Sequence, residues 1–181
     1  ILPSLKIGGG NRVLLQFIDL ANRDNRNCKL FYLNRNGSKF LTPNVKNVAQ
    51  SVIGDSLFSI LFASLSLSIK VRFDQSVKTI IISDPILAIF SFIYSKKKIV
   101  RFVQSNDLDL FNKNIKGGDF INYIYKIIFK FTQKFHYHAV LFNSKYSLES
   151  YNKTLPTNKN FSSSCIVNPS VFTLNFKKRN I

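Results

Sequence analysis

Three short polar stretches carry residue types that can do chemistry. Gly8-Gly9-Gly10-Asn11-Arg12 combines glycines, which let a backbone approach a ligand, with the start of an apolar-periodic segment. A helix that begins there presents free N–H groups to an anion. The spacing is not Gly-x-Gly-x-x-Gly, and no Gly-Lys-Ser/Thr follows, so neither a dinucleotide fingerprint nor a Walker loop is present. A tight turn is the other use of the same glycines. Gln104-Ser105-Asn106-Asp107 offers four polar side chains suited to binding hydroxyl groups, with Asp107 or Asp109 as a general base. A helix cap is the alternative for these residues. Asn143-Ser144-Lys145-Tyr146 has the same polar character, and Ser144 suits the cap of a short helix.

Other constellations are missing. His136 and His138 flank Tyr137, and on a helix this i,i+2 spacing sends them to different faces, so they make no metal pair there. Nothing completes a zinc set or a Ser-His-Asp triad. Cys28 and Cys165 lie far apart without a Cys-x-x-Cys spacing and suit a reduced, cytosolic protein. The net charge is +17, from 26 basic and 9 acidic residues. Such an excess attracts polyanions, whether nucleic acid, anionic headgroups or phosphorylated ligands. An AT-rich gene, which over-uses Lys, Asn, Ile, Phe and Tyr, yields the same balance. Hydrophobic residues make up 45% of the chain and charged residues 19%, a globular composition.

These stretches need a frame. Short apolar runs alternate with longer amphipathic segments, the order of parallel strands joined by helical crossovers. Ile1-Leu2 reads as the end of a first strand and Arg12 to Ala21 as a helix with Val13, Leu14, Phe17, Ile18 and Ala21 on one face. Lys29 to Leu33 is a strand and Asn34 to Pro43 a loop. Asp55 to Phe73 mixes helical and alternating periodicity; a helix is favoured because a crossover must precede the next strand. Thr79 to Ser83 is a strand, and Asp84-Pro85 caps and opens a helix that runs to Tyr94. Ile99 to Val103, Ala139 to Phe142 and Cys165 to Val167 complete the strands. Phe120 to Phe135 and Tyr146 to Asn152 are helices between them. The expected fold class is α/β: a Rossmann-like, doubly wound, mainly parallel sheet of about six strands with helices on both faces. Ligands of such sheets gather beyond the carboxyl ends of the strands, where the three polar stretches fall.

In order, the segments resemble one family. "ILPSLKIGGGNRVLLQFIDLANRDNRNCKLFYL" resembles the opening of family 4 glycosyltransferases: a strand, a Pro-x-Leu-like turn, a GG-containing loop, a helix and a second strand. "TIIISDP", "KKKIVRFVQSNDLDLF", "AVLFNSKYSLESYNK" and "CIVNPSVFTLNF" resemble its later strands and the loops after them. The resemblance covers nearly the whole chain and implies one half of a GT-B fold: residues 1–181 form the acceptor-side, N-terminal domain, and the C-terminal nucleotide-sugar-binding domain is absent. It implies Gly9, Gly10 and Asn11 beside the donor diphosphate, and Gln104, Ser105, Asn106, Asn143 and Ser144 toward the acceptor, with Asp107 as the catalytic candidate. Asn168-Pro169 would turn the chain toward the second domain. Many members place a histidine in the loop that here reads Gln104-Ser105-Asn106, and this chain does not. The implied reaction moves a sugar from a UDP-, GDP- or dTDP-sugar to a glycan or lipid-linked acceptor, in bacterial surface polysaccharide synthesis. No metal or other cofactor is implied.

The start at Ile1, the lack of Met and the end at Ile181 lead us to expect a fragment or a truncated reading frame, inactive alone. Lys126, Lys130 and Lys134 recur every fourth residue in the aromatic segment Phe120 to Phe135. Together with Lys96, Lys97 and Lys98 they are candidates to contact an anionic membrane, placing the protein in the cytoplasm and peripherally on the inner face of the plasma membrane. A crossover helix with its lysines in water is the alternative. No apolar run reaches the ~20 residues that span a bilayer. The rival functions are a non-catalytic Rossmann-like interaction domain and a basic nucleic-acid-binding protein. No nucleic acid is expected as partner, because no recognised nucleic-acid-binding signature is present.

Overall fold

A computed structural model describes residues 9–34, 46–53, 56–94, 96–104, 123–124, 127–128, 130–132, 134–154 and 162–167. The first helix, α1, spans Gly9–Arg23. It stops where Asn25 takes a left-handed φ of 56°, and Arg26 N–H donates to the Ala21 carbonyl at 2.8 Å. Asn is one of the few residues that accept this geometry cheaply, so the chain turns sharply into β1, Lys29–Asn34. Four consecutive β1 residues, Leu30 to Leu33, are buried, as befits a strand covered on both faces.

β2, Lys46–Ser51, pairs with β1 in parallel register, Phe31 opposite Val48. This strand was not expected. Its residues are mostly polar, and Ala49 and Ser51 are exposed, so it carries little of the apolar signal of a strand.

α2, Leu57–Phe73, resolves the mixed periodicity in favour of a helix. Ser56 caps it, accepting from Ser59 N–H at 3.1 Å. The buried residues Ile60, Ala63, Ser64, Leu67, Ser68 and Val71 follow helical spacing. Its serines enter the core by bonding to their own helix: Ser64 Oγ donates to the Ile60 carbonyl and Ser68 Oγ to the Ser64 carbonyl, both at 2.7 Å. The alternating run Leu65 to Phe73 places apolar residues on both faces of this helix, Leu67 and Val71 buried and Ile69 and Phe73 exposed.

β3, Thr79–Ile82, leads to the expected cap. Asp84 Oδ1 accepts from Ile86 N–H at 2.8 Å and Leu87 N–H at 3.3 Å, with Pro85 in the first turn of α3, Pro85–Ala88. The helix does not run straight to Tyr94. It tightens into a 3-10 segment, Ile89–Tyr94, bent at Phe90. β4 (Lys98–Val103), β5 (Ala139–Phe142), α4 (Lys145–Thr154) and β6 (Ser164–Ile166) follow. Residues 123–124, 127–128 and 130–132 are helical, within the expected Phe120–Phe135 segment.

The class is the expected one: α/β, with every observed strand pair parallel and helices on both faces. The six described strands fall into two ladders, β1–β2 and β3–β4–β5–β6. One face carries Phe31, Leu33, Ile80, Ile82, Val140 and Phe142 against α2, α3, Tyr94 and Tyr151. The other carries Leu30, Tyr32 and Phe102 against Leu14 of α1, with Ile81 and Leu141 at its margin. Both faces therefore run across the two ladders. Between β1 and β3 lies a cavity of about 530 Å³. The expected first strand, Ile1-Leu2, lies outside the described residues. Among the described residues, no helix is long and apolar enough to cross a membrane.

Candidate functional site

The carboxyl ends of β4 and β5 lie side by side because Val103 is opposite Phe142. The residues that follow, Gln104 and Asn143, are therefore neighbours across a parallel pair. Asn143 N–H continues the ladder to the Val103 carbonyl at 3.2 Å. Asn143 Nδ2 donates to the Gln104 carbonyl at 2.6 Å and so clamps the two strand ends together.

Ser144 and Ser147 complete the cluster. Ser144 Oγ accepts from Ser147 N–H at 3.1 Å, which makes it the cap of α4, as its position after β5 suggested. Ser147 Oγ sits 2.6 Å from Asn143 Oδ1, 2.9 Å from Ser144 Oγ and 3.3 Å from the Gln104 carbonyl. Its one proton favours the shorter contact to Asn143. Ser147 is itself buried. Among the described residues, the side-chain nitrogen Gln104 Nε2 is buried without a hydrogen-bond partner. An amide left in that state costs free energy.

Two further features belong to the same edge. Asp84 follows β3, one strand along, with its carboxylate committed to the α3 cap. Arg101 is buried within β4 and donates from Nη1 to the Ile82 carbonyl at 3.1 Å, close to the end of β3. It had not been singled out. Its signal was a cation standing between Ile99 and Val103, on the inward phase of an otherwise apolar strand. Ser147 was also missed; the clue was its place three residues after a capping serine.

Gly9 and Gly10 open α1 rather than preceding it. Because α1 packs on the sheet and its last turn feeds the amino end of β1, its first turn lies toward the carboxyl edge. Asn11 is half-buried there. Ser105, Asn106, Asp107 and Asp109 lie outside the described residues. The structure thus joins Gln104, Asn143 and Ser144 in one network.

The expected basic residues are spread out. Lys97 Nζ donates to the Asp74 carbonyl at 2.7 Å and the Val77 carbonyl at 2.8 Å, so it bolts the α2–β3 turn. Lys96 and Lys98 are exposed, as are Lys130 and Lys134. The side chain of Lys126 lies outside the described residues. His136 and His138 sit in the approach to β5 and not on a helix, with ring centroids 6.3 Å apart. His138 Nδ1 accepts from Ile99 N–H at 3.2 Å. No group of three or more potential metal ligands occurs among the described residues.

The arrangement presents amide and hydroxyl groups at the carboxyl edge of a parallel sheet, bonded largely to one another. No protein family, no curated protein and no solved structure matches the chain.

Proposed function

We propose that this chain is the acceptor-side half of a GT-B-type glycosyltransferase, one that moves a sugar from a nucleotide-sugar donor to a glycan or lipid-linked acceptor. The observation that supports it most is the Gln104–Asn143–Ser144–Ser147 network at the carboxyl edge of β4 and β5, with Gln104 Nε2 still unpaired. Amide and hydroxyl groups on rigid strand ends suit a sugar, whose hydroxyls both donate and accept. In this reading Gly9 and Gly10 serve the donor diphosphate through the first turn of α1. Asp107 is the candidate base. Base and ribose of the donor belong to a second domain.

Saturation-transfer NMR with a panel of oligosaccharides tests this reading. Transfer to glycan protons is expected with the unaltered chain and is expected to vanish in Gln104→Ala. Calorimetry with UDP-, GDP- and dTDP-sugars is expected to show no micromolar binding, since a site worth about −8 kcal/mol needs both halves. No glycan signal, or a micromolar nucleotide-sugar site, overturns it.

A peripheral membrane location is a second element of the proposal. Tyr123, Ile127 and Phe131 are exposed at i,i+4,i+8, and Lys130 and Lys134 are exposed beside them. Aromatic and apolar side chains next to lysines suit the headgroup layer of an anionic bilayer.

A further inference from the structure

α2 buries one side and leaves an apolar ridge on the other. Ile60, Ala63, Leu67 and Val71 belong to the core. With about 3.6 residues per turn, Phe58, Phe62, Leu65, Ile69 and Phe73 fall within an arc of about 80° on the opposite side. Phe58, Phe62 and Phe73 are 83%, 75% and 74% exposed, so their rings stand in water and not at the margin of the core. The ridge they form with half-buried Leu65 and exposed Ile69 is about 22 Å long. Scattered exposed apolar side chains need no explanation, but a contiguous run of them marks an interaction surface.

The spacing says what kind of surface fits it. Phe58, Phe62, Leu65 and Ile69 are separated by four, three and four residues, the rhythm with which one helix meets another along a seam. Ser59 and Ser66 border the ridge on one side, and their small side chains let a second helix approach closely. A bilayer imposes no such register. α2 also carries neither Trp nor Tyr, the aromatic residues that anchor a helix at the headgroup layer.

Charge selects the partner. Lys70 and Arg72 are exposed, one on each flank of the ridge, and α2 contains no acidic residue. Arg72 Nη1 donates to the Ile93 carbonyl at 3.4 Å, which anchors that flank to the 3-10 segment. A second copy of the chain does not complement this face. Paired in parallel, two copies would set these cations against each other. Paired antiparallel, each cation would meet a first turn that has no carboxylate to offer. The net charge of +17 on each copy adds to the repulsion. We propose that the outer face of α2 is a docking seam for an acidic amphipathic helix of a partner protein. Apolar side chains of that helix at three- and four-residue spacing lie along the ridge, and carboxylates on its flanks face Lys70 and Arg72. Nothing in this surface depends on the glycosyltransferase reading.

Fluorescence anisotropy with labelled synthetic peptides tests it. The probe is a helical peptide of about three heptads, with leucines along one seam and glutamates on both flanks. One control carries lysines in place of the glutamates, and a second has the composition of the probe in shuffled order. The acidic peptide is expected to bind the unaltered chain about ten-fold or more tightly than either control. Phe62→Ser is expected to weaken that binding about ten-fold, as truncation of a central aromatic anchor does. Lys70→Glu leaves the Arg72 bond in place and is expected to bring the glutamate- and lysine-flanked peptides to within about three-fold of each other. No binding of the acidic peptide, equal binding of all three peptides, or a Phe62→Ser chain that binds like the unaltered one overturns the proposal. Self-association of the chain that Phe62→Ser abolishes also overturns it, because the occupant would then be a second copy. Binding to anionic vesicles that Phe62→Ser abolishes overturns it as well, because the ridge would then seat in a bilayer.

Discussion

Asn143 reaches across two strand ends to the backbone of Gln104, its side-chain nitrogen 2.6 Å from the Gln104 carbonyl. The contact is both structural and positional. It holds β4 and β5 together beyond their last ladder bonds, and it fixes the Gln104 backbone from which the unpaired amide projects. Asn143→Asp keeps the size but replaces the donor with a carboxylate facing a carbonyl. We expect a loss of about 1–3 kcal/mol in urea denaturation at neutral pH, the range for a buried polar group left unsatisfied. Asn143→Asp is also expected to abolish glycan binding in the NMR assay above.

Lys29 and Asp74 join β1 to the α2–β3 turn, Nζ to Oδ2 at 2.6 Å. Asp74 also accepts from Ser76 N–H and Oγ. The Lys29 hydrogen bond first, and Ser76 second, hold its carboxyl down at about 2 against an ordinary 3.8. A depressed acid stabilises the fold above its unfolded pKa, and that contribution disappears as pH falls from 3.8 toward 2. Asp74→Asn is expected to lower the melting temperature at pH 7 and to flatten its decline between those two values. A variant that melts like the unaltered chain at pH 7 would show the pair to be inert.

Tyr94 is buried and donates from its hydroxyl to Ser68 Oγ at 2.6 Å, tying the 3-10 segment to α2. Burial pushes its pKa up to about 12, although the Ser68 bond acts the other way. The folded state therefore keeps the proton while the unfolded chain loses it, and stability falls as pH rises from 10 toward 12. Tyr94→Phe is expected to cost about 1 kcal/mol at pH 7, the net worth of one hydrogen bond, and to remove that alkaline decline. Ser68→Ala is expected to cost more, about 1–3 kcal/mol, because it strands the Tyr94 hydroxyl in the core.

The inner and outer faces of α2 should answer mutation oppositely. Leu67 is fully buried, so Leu67→Ala is expected to cost about 2–5 kcal/mol in chemical denaturation. Phe62 is 75% exposed, and Phe62→Ser is expected to change stability by less than about 0.5 kcal/mol.

Co-sedimentation with vesicles tests the membrane element. We expect binding to phosphatidylserine-containing vesicles and none to neutral ones, with loss in a Lys130→Glu, Lys134→Glu double variant. Lysines near an anionic surface contribute about 1 kcal/mol each, and the exchange reverses that sign. Equal binding to both vesicle types would remove the electrostatic half of the idea.

Much of this fold was legible because its signals are local. Ala139 to Phe142 is a short apolar run with the bounds of β5, and Asp84-Pro85 announced its helix through capping chemistry. β2 was not legible, because Lys46 to Ser51 has few apolar residues and pairs on one edge. Its hold on the sheet is backbone bonding to β1 and the packing of Val48 against the core, which leave little trace in composition. The bend at Phe90 was hidden for a similar reason: Ile89 to Tyr94 has helical spacing, and tertiary packing decides how tightly it winds. At the site, Asn143 and Ser144 were visible as polar residues after a strand. Their bonding to Gln104 and Ser147 was not, because it depends on which strands are neighbours.

Every observed ladder is parallel, and this shapes how the chain can fold. Adjacent strands are never joined by a tight hairpin, so each pairing closes a long loop before its first bond forms. Phe31 with Val48 and Ile80 with Ile99 close the shorter loops, whereas Val100 must find Ala139. Contact order therefore leads us to expect the β1–β2 and β3–β4 pairs to form ahead of the β4–β5 pair. Refolding is expected to be slower than that of a helical bundle of equal length.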